Sequence, residues 1–123
     1  MSLYDEFMLR TAHSEIYDEL CEERKLFKLR AHLFTAALAY GILHNVCSQA
    51  KPNHDIVRLS QLEKRHPTQV ALIKLLAKIV CKGEDERSRS YEILAYADGG
   101  LELLWEEYQA QGTLDVPRMV EEA

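Results

Sequence analysis

The sequence predicts an all-α fold, a single compact domain over residues 1–123 with four main helices and one or two short ones. Three observations lead to this prediction. Apolar residues recur at three- and four-residue steps along most of the chain, as in helices with one buried face. Pro52, Pro67, Gly83 and Gly112 fall between these periodic stretches. A chain of 123 residues has the size of one ordinary domain, and it can bury a core without disulfides or a metal.

Two helices are predicted in the first half of the chain. The first runs from about Leu3 to Glu23. Its periodic apolar residues are Phe7, Met8, Ala12, Ile16, Leu20 and Cys21. The second runs from about Leu26 to Ser48. The cations at its start oppose the positive end of the helix dipole, so we expect them to have partners elsewhere, such as the acidic end of the first helix. These cations are Arg24, Lys25, Lys28 and Arg30.

The pattern weakens between Gln49 and His66. Ile56, Val57 and Leu59 suggest a short extended piece. Ser60 to Glu63 matches a capping box, which predicts a brief helical turn after it.

The remaining helices are predicted in the second half. The third runs from about Thr68 to Lys82 and is apolar nearly all round. Because only the stripe Lys74, Lys78 and Lys82 must face water, we expect this helix to be central. The fourth runs from about Glu86 to Gln111, and a short terminal helix is predicted to start at Asp115 to Pro117.

The charge distribution along the chain is acidic, basic, acidic, with a net charge of −5. Residues 1–23 hold seven acids and one base, residues 24–89 hold thirteen Lys/Arg and five acids, and residues 90–123 hold eight acids and one base. One interpretation is that the acidic terminal helices lie beside the basic middle helices. The other is a basic patch for nucleic acid or an acidic partner. Its contacts would be Lys25, Lys28, Arg30, Lys64, Arg65, Arg87 and Arg89.

The usual motifs of catalysis and cofactor binding are not found in the sequence. There is no Gly-rich phosphate loop, no CxxC, no HExxH and no nucleophile elbow. His44, Cys47 and His54 could in principle hold zinc. The alternative interpretation of the same residues is a packed cysteine and a solvated histidine. We therefore expect a protein without enzymatic activity, cofactor, metal or small-molecule ligand.

The cellular setting is predicted from the cysteines and the hydropathy. The three cysteines are an odd number at wide spacing, which fits reduced thiols. The longest nearly apolar run, Leu33 to Leu43, is too short to span a membrane, and the chain does not open on a signal peptide. We expect a cytoplasmic protein that does not enter a membrane.

The stretch YADGGLELLWEEY, residues 96–108, places two glycines inside the fourth helix. Each costs about 1 kcal/mol relative to alanine, and Asp98 would lie in an apolar stripe. We expect a kink at Asp98-Gly99-Gly100 with Asp98 as a cap. We also expect a close crossing of small residues, with Ala95 and Gly99 against Ala37 and Gly41 of the second helix. Trp105, later in the same helix, is a possible interface anchor.

The residues of this proposed crossing also carry a family resemblance. FTAALAYG (Phe34 to Gly41), followed by ILAYADGGLELL (Ile93 to Leu104), resembles a family of small bacterial proteins encoded beside DNA phosphorothioation (Dnd-type) modification and restriction genes. In that family an FAAALGY-like helix precedes an EYANGGLEIL-like helix. Here Asp98 stands where asparagine is expected and Ala95 where glutamate is expected.

The resemblance implies a bacterial accessory protein of a DNA-modification or phage-defence locus, and it supplies no catalytic residues. The expected function is that of a non-enzymatic accessory or adaptor protein, which binds a protein partner or itself through helix faces. The alternative is a nucleic-acid-binding module that uses the basic middle segment, residues 24–89.

Overall fold

A computed structural model describes residues 7–80 and 86–112 of the chain, with side chains described for all of these except 86–90. The described chain is mostly helical, with a small antiparallel sheet. Its elements, in order, are β1 (Met8–Thr11), α1 (Ser14–Tyr17), a π-helical segment (Asp18–Glu23), α2 (Arg30–His44), β2 (His54–Arg58), α3 (Leu59–Arg65), α4 (Pro67–Val80) and α5 (Glu86–Gln111). The predicted terminal helix, which would start at residues 115–117, lies outside the described residues.

The prediction of a helix from residue 3 to residue 23 is wrong for its middle part, because Met8–Thr11 forms β1. The sequence there also alternates with a period of two: Phe7, Leu9 and Thr11 are buried, whereas Arg10 is exposed. β1 pairs with β2 in antiparallel register, with Leu9 opposite Val57 and an irregularity after Leu9. The residues of this stretch fit both the period of a helix and the period of a strand. Pairing with β2, which lies far away in the sequence, makes the stretch a strand.

The chain becomes helical only after this strand. α1 continues directly into the π-helical segment, and this stretch buries Ile16, Tyr17 and Leu20. The turn that follows has Lys25 in a left-handed conformation (φ 55°), and the backbone N–H of Leu26 donates to the carbonyl of Leu20 (2.9 Å). The chain thereby reverses toward α2.

α2 is shorter than the sequence predicts. It begins at Arg30, because Leu29 is still extended (φ −127°, ψ 147°). It ends at His44, because Asn45 adopts a left-handed conformation (φ 54°) and donates its N–H to the last carbonyls of the helix. The segment that follows places Ser48 against α5, where the N–H of Ser48 donates to the carbonyl of Ala95 (2.9 Å).

The extended piece and the brief helix predicted between residues 49 and 66 are both present, as β2 and α3. The predicted capping box is not used, because α3 begins at Leu59 with Arg58 in the N-cap position and no side-chain cap. α4 begins at Pro67, a position where the missing N–H of proline costs no helical hydrogen bond.

The core forms mainly where α2 and α5 cross, with α4 packed on one side and the sheet on another. Its largest fully buried side chains are Tyr17, Phe7, Phe34, Leu9, Leu20, Leu33, Leu38, Leu59, Ile73, Ile93, Leu101 and Leu104. None of the described helices combines the length and the apolar character needed to cross a membrane.

The predicted central position of α4 is wrong. Only Val70, Ile73 and Ala77 of this helix are buried, and they lie on one face. The opposite face exposes Leu75 and Ile79 to solvent, because α2, α3 and α5 pack against a single side of the helix. α4 is therefore an outer helix whose second apolar face has no cover among the described residues.

Candidate partner-binding surface

The crossing of α2 and α5 fixes the helices that carry the candidate surfaces. At this crossing the backbones of the two helices are in direct contact. A Cβ atom on Gly100 would overlap the carbonyl oxygen of Ala37 and lie 2.6 Å from the amide nitrogen of Gly41. A Cβ atom on Gly41 would overlap the carbonyl oxygen of Tyr96. The close approach of two small-residue faces is therefore present, and it requires glycine at both positions.

The register of the crossing differs from the predicted one. Gly99 faces the carbonyl of Val46, in the segment that follows α2, and does not face α2 itself. Ala95 is half-buried and accepts its hydrogen bond from the N–H of Ser48 in the same segment. The contacts with α2 are made by Tyr96 and Gly100 instead.

Asp98 is not the cap of a new helix, because α5 is continuous from Glu86 to Gln111. Its side chain is buried (1 % exposed) and points to the junction between β1 and α1. The Thr11 hydroxyl donates to Oδ1 (2.6 Å), and the Ala12 N–H donates to Oδ2 (2.9 Å). Burial raises the pKa of the Asp98 carboxyl, and the two hydrogen bonds partly oppose that rise. Asp98 thus fastens the sheet to the middle of α5.

Glu102, one turn further along α5, extends this polar network. Its Oε2 accepts a hydrogen bond from the Ser48 hydroxyl (2.6 Å) and lies 2.8 Å from Nε2 of His13. In a nucleophilic triad the imidazole stands between the hydroxyl and the carboxylate. Here the carboxylate stands between them, so the arrangement ties three segments together and does not activate Ser48.

Tyr17 lies in the same region of the core. Its hydroxyl is buried and has no hydrogen-bond partner among the described residues. Burial raises the pKa of this phenol, and the negative charge of Asp98 raises it further. The phenol therefore remains protonated.

Two of the cations that the sequence predicts to be paired, Arg30 at the start of α2 and Arg24 in the turn before it, contact acids. The Arg30 guanidinium contacts Asp18 (2.5 Å) and Glu22 (2.7 Å), both in the π-helical segment. Arg24 contacts Glu19 of the same segment (3.0 Å). The basic middle of the chain is therefore neutralised in part by the acidic first segment.

The other predicted contacts fall into two groups. Lys25, Lys28, Lys64 and Arg65 are exposed, and none of them has an ion-pair partner among the described residues. The side chains of Arg87 and Arg89 lie outside the described residues.

Trp105, the predicted interface anchor, is half-buried on α5. Its ring stacks on Tyr108, with centroids 5.5 Å apart. Trp105 also lines a shallow cavity together with His13, Ile16 and Glu102. The structure gives Trp105 a position at the surface, and its role as an anchor stays a prediction.

The outer side of α4 is the largest feature that the sequence reasoning missed. Leu72, Leu75 and Ile79 are 41 %, 58 % and 62 % exposed, and their i, i+3, i+7 spacing places them on one side of the helix. Ala71 is exposed beside them. We call these four residues the α4 apolar face. The signal for it in the sequence is the second apolar stripe of this helix, which is equally compatible with burial on all sides and with an exposed apolar face.

The charged side chains that α4 itself contributes beside the α4 apolar face are all positive. Lys78 is exposed and Lys74 half-buried on the flank next to Leu75, and the stretch Pro67–Val80 contains no acidic residue. Gln69, on the other flank, accepts a hydrogen bond from Thr35 of α2 (3.0 Å). The face is thus an apolar strip with a basic flank.

The described residues contain no group of three or more His, Cys, Asp or Glu side chains that could hold a metal ion. His44 packs its ring against Tyr40 (4.3 Å between centroids), and the exposed Cys47 lies beyond the end of α2. Comparison of the chain with protein-family models, curated proteins and solved structures gives no match.

Proposed function

We propose that this protein is a non-enzymatic accessory or adaptor protein that binds a partner protein through a helix face. The observation that carries the proposal is the α4 apolar face. Large aliphatic side chains that share one side of an outer helix and remain exposed are typical of a protein–protein contact. The setting in a DNA-modification or phage-defence locus rests on the resemblance of residues 34–41 and 93–104 alone.

The exposed side chains of this face can contribute part of the free energy of a contact. Roughly half of each of the side chains of Leu72, Leu75 and Ile79 is still in water. Covering that surface contributes about 1 kcal/mol for each side chain, because complete burial of Leu or Ile contributes about 1.5–3 kcal/mol. The three together support a contact that a helix with matching apolar residues can make.

The positive charge beside the α4 apolar face favours an acidic partner. We propose that this partner is an acidic amphipathic helix of another protein. Glutamates beside the apolar stripe of such a helix would face Lys74 and Lys78. A second copy paired through α4 would bring lysines to the contact and no acid from that helix, since Pro67–Val80 has none. Charge complementarity therefore favours a different partner over self-association through this face.

The test uses a synthetic amphipathic peptide of about 18 residues, with leucines at helical spacing and glutamates on both flanks. Binding is followed by fluorescence anisotropy of the labelled peptide. A second peptide carries lysines in place of the glutamates, and a third has the acidic composition in scrambled order. We expect the acidic amphipathic peptide to bind, and the other two to bind at least tenfold more weakly.

The variant Leu75→Glu should weaken binding of the acidic peptide at least tenfold, because it puts a carboxylate at the centre of the contact. Leu26→Glu is the matched control, since Leu26 is similarly exposed (42 %) but lies in the turn before α2. Equal binding of the basic peptide, or equal loss in both variants, would contradict the proposal. A dimer in light scattering that Leu75→Glu dissociates would make a second copy the occupant and overturn the choice of an acidic partner.

The alternative function is nucleic-acid binding, and the exposure of Lys25 and Lys64 favours it. These two cations have no ion-pair partner among the described residues and would be available to phosphates. Binding of a short DNA duplex that falls steeply with salt and weakens in Lys25→Gln and Lys64→Gln would support this alternative. Absence of binding at low salt would remove it.

A further inference from the structure

A cavity of about 410 Å³ opens between the start of α2, the sheet and α3, on a part of the surface distinct from the α4 apolar face. Its apolar lining comes from Leu29, Ile56, Val57 and Leu62. Leu62 is almost fully buried, and the two strand residues are half-buried. The size lies in the range of small-molecule sites, and the floor is the kind of surface that takes up an apolar group.

The cations of this cavity come from three different elements. Lys28 precedes α2, Arg30 begins it, and Arg65 ends α3. Lys28 and Arg65 have no ion-pair partner among the described residues. The exposed amide of Gln61 and the ring of His66 add polar groups at the rim.

The acids near the cavity do not cancel its positive charge. Glu22 lines the cavity, but its carboxylate lies 2.7 Å from the Arg30 guanidinium, which also binds Asp18. Two carboxylates therefore share the Arg30 guanidinium. Together with Lys28 and Arg65 there are three cations and two carboxylates, so this group has a net charge of +1.

The start of α2 adds to the attraction for an anion. Leu29, in the N-cap position, offers no side-chain hydrogen bond to the first turn, and that turn contains no acid. The first N–H groups of a helix have no partner within the helix, and they carry the positive end of its dipole. Leu29, Arg30 and Ala31 all line the cavity, so this helix end faces the same space as the cations.

We infer that this cavity binds a small organic anion, with a phosphate or carboxylate head held by Lys28 and Arg65 and an apolar body against Ile56, Val57 and Leu62. The inference is independent of the proposed partner on α4, because none of the residues of the α4 apolar face lines the cavity. It also differs from a nucleic-acid surface, since the apolar floor suits a compact apolar group and not a phosphate backbone.

The test is isothermal titration calorimetry of the full chain with phenyl phosphate, benzoate and inorganic phosphate. Phenyl phosphate and benzoate share the same apolar body, a phenyl ring, and differ in the head group. Their affinities therefore show whether the site prefers a phosphate or a carboxylate. Inorganic phosphate has the head without the body, and we expect it to bind at least tenfold more weakly than phenyl phosphate.

The variants Lys28→Gln and Arg65→Gln should each weaken binding about tenfold, because each removes one charged partner of the anion. Lys51→Gln is the control, since Lys51 is exposed in the loop before β2 and does not line this cavity. Two results would overturn the inference: no binding of either organic anion at millimolar concentration, or equal affinity for inorganic phosphate. Equal weakening by Lys51→Gln would do the same, because it would indicate attraction to the whole protein and not to this cavity.

Discussion

The crossing of α2 and α5 and the outer side of α4 are opposite solutions to the packing of helices. At the closest point of the crossing, Gly41 and Gly100 have no side chains, and the carbonyl of Ala37 lies against the backbone of Gly100. On α4, large side chains are present and remain exposed, with Leu75 at 58 % and Ile79 at 62 %. Both regions look apolar in the sequence.

The difference separates the part of the molecule that holds the fold from the part that we propose to bind a partner. A methyl group added at the crossing has no space, so changes there act on stability. A side chain changed on the outer side of α4 loses few internal contacts, so changes there act on binding. The predictions that follow test this division, from the largest expected effect to the smallest.

The largest effect is expected for Gly100→Ala. Helix propensity alone predicts a gain of about 1 kcal/mol for this change in a helix interior. The overlap of the new Cβ with the carbonyl of Ala37 predicts a loss of about 3 kcal/mol or more in the free energy of unfolding. Urea denaturation distinguishes the two by sign.

Gly112→Ala is the matched control for that experiment. Gly112 has open space around it but a left-handed backbone (φ 76°), so alanine there should cost about 1 kcal/mol. A Gly100→Ala protein that is as stable as the wild type would show that the helices do not meet backbone to backbone.

The second effect concerns the attachment of the sheet to α5. Asp98→Leu should lower the free energy of unfolding by about 2–3 kcal/mol, because the Thr11 hydroxyl and the Ala12 N–H lose their acceptor. Thr11→Val, which removes only one of these hydrogen bonds, should cost about 1 kcal/mol. An Asp98→Leu protein with unchanged stability would contradict the role of this carboxylate.

The third prediction is a pH dependence that comes from Asp98. Because burial raises its pKa in the folded state, the folded chain holds this proton more tightly than the unfolded chain does. Its contribution to stability is complete below the pKa of an unfolded aspartate and is lost as the pH rises through the raised pKa. The stability of the wild type relative to Asp98→Asn should therefore fall over this acidic range. A relative stability that stays constant or rises with pH would contradict it.

The smallest effect on stability is expected for Leu75→Ala. A change at this exposed position should alter the free energy of unfolding by no more than about 0.5 kcal/mol. Ile73→Ala is the matched control on the same helix, because Ile73 is fully buried and its truncation should cost about 2–4 kcal/mol. Equal losses in the two variants would mean that the outer side of α4 is covered.

Local pattern predicts much of this fold. The bounds of α4 and α5 follow from periodicity and from the proline and glycine positions, and β2 and α3 appear where short pieces are expected. The pairing of Arg30 with acids follows from its unfavourable place at a helix start. Each of these features depends on residues close together in the sequence, or on a charge that must be neutralised.

The features that the sequence did not predict depend on distant parts of the chain. β1 is a strand because it pairs with β2. Asp98 does not cap a helix, because its carboxylate accepts a hydrogen bond from Thr11 of β1. The α4 apolar face is exposed because no further layer of the described chain covers it. Periodicity shows that a helix has apolar sides, but it does not show how many of them the rest of the chain will cover.

The most direct test of the division between crossing and recognition surface is a chemical-shift titration. The ¹⁵N-labelled protein is titrated with the acidic amphipathic peptide, and the amide shifts of the whole chain are followed. We predict that the shifts concentrate at Ala71, Leu72, Leu75, Lys78 and Ile79, while the amides of Ala37, Gly41 and Gly100 stay unchanged. Shifts centred on the α2–α5 crossing or on the cavity of Lys28 and Arg65, with α4 unaffected, would contradict the account.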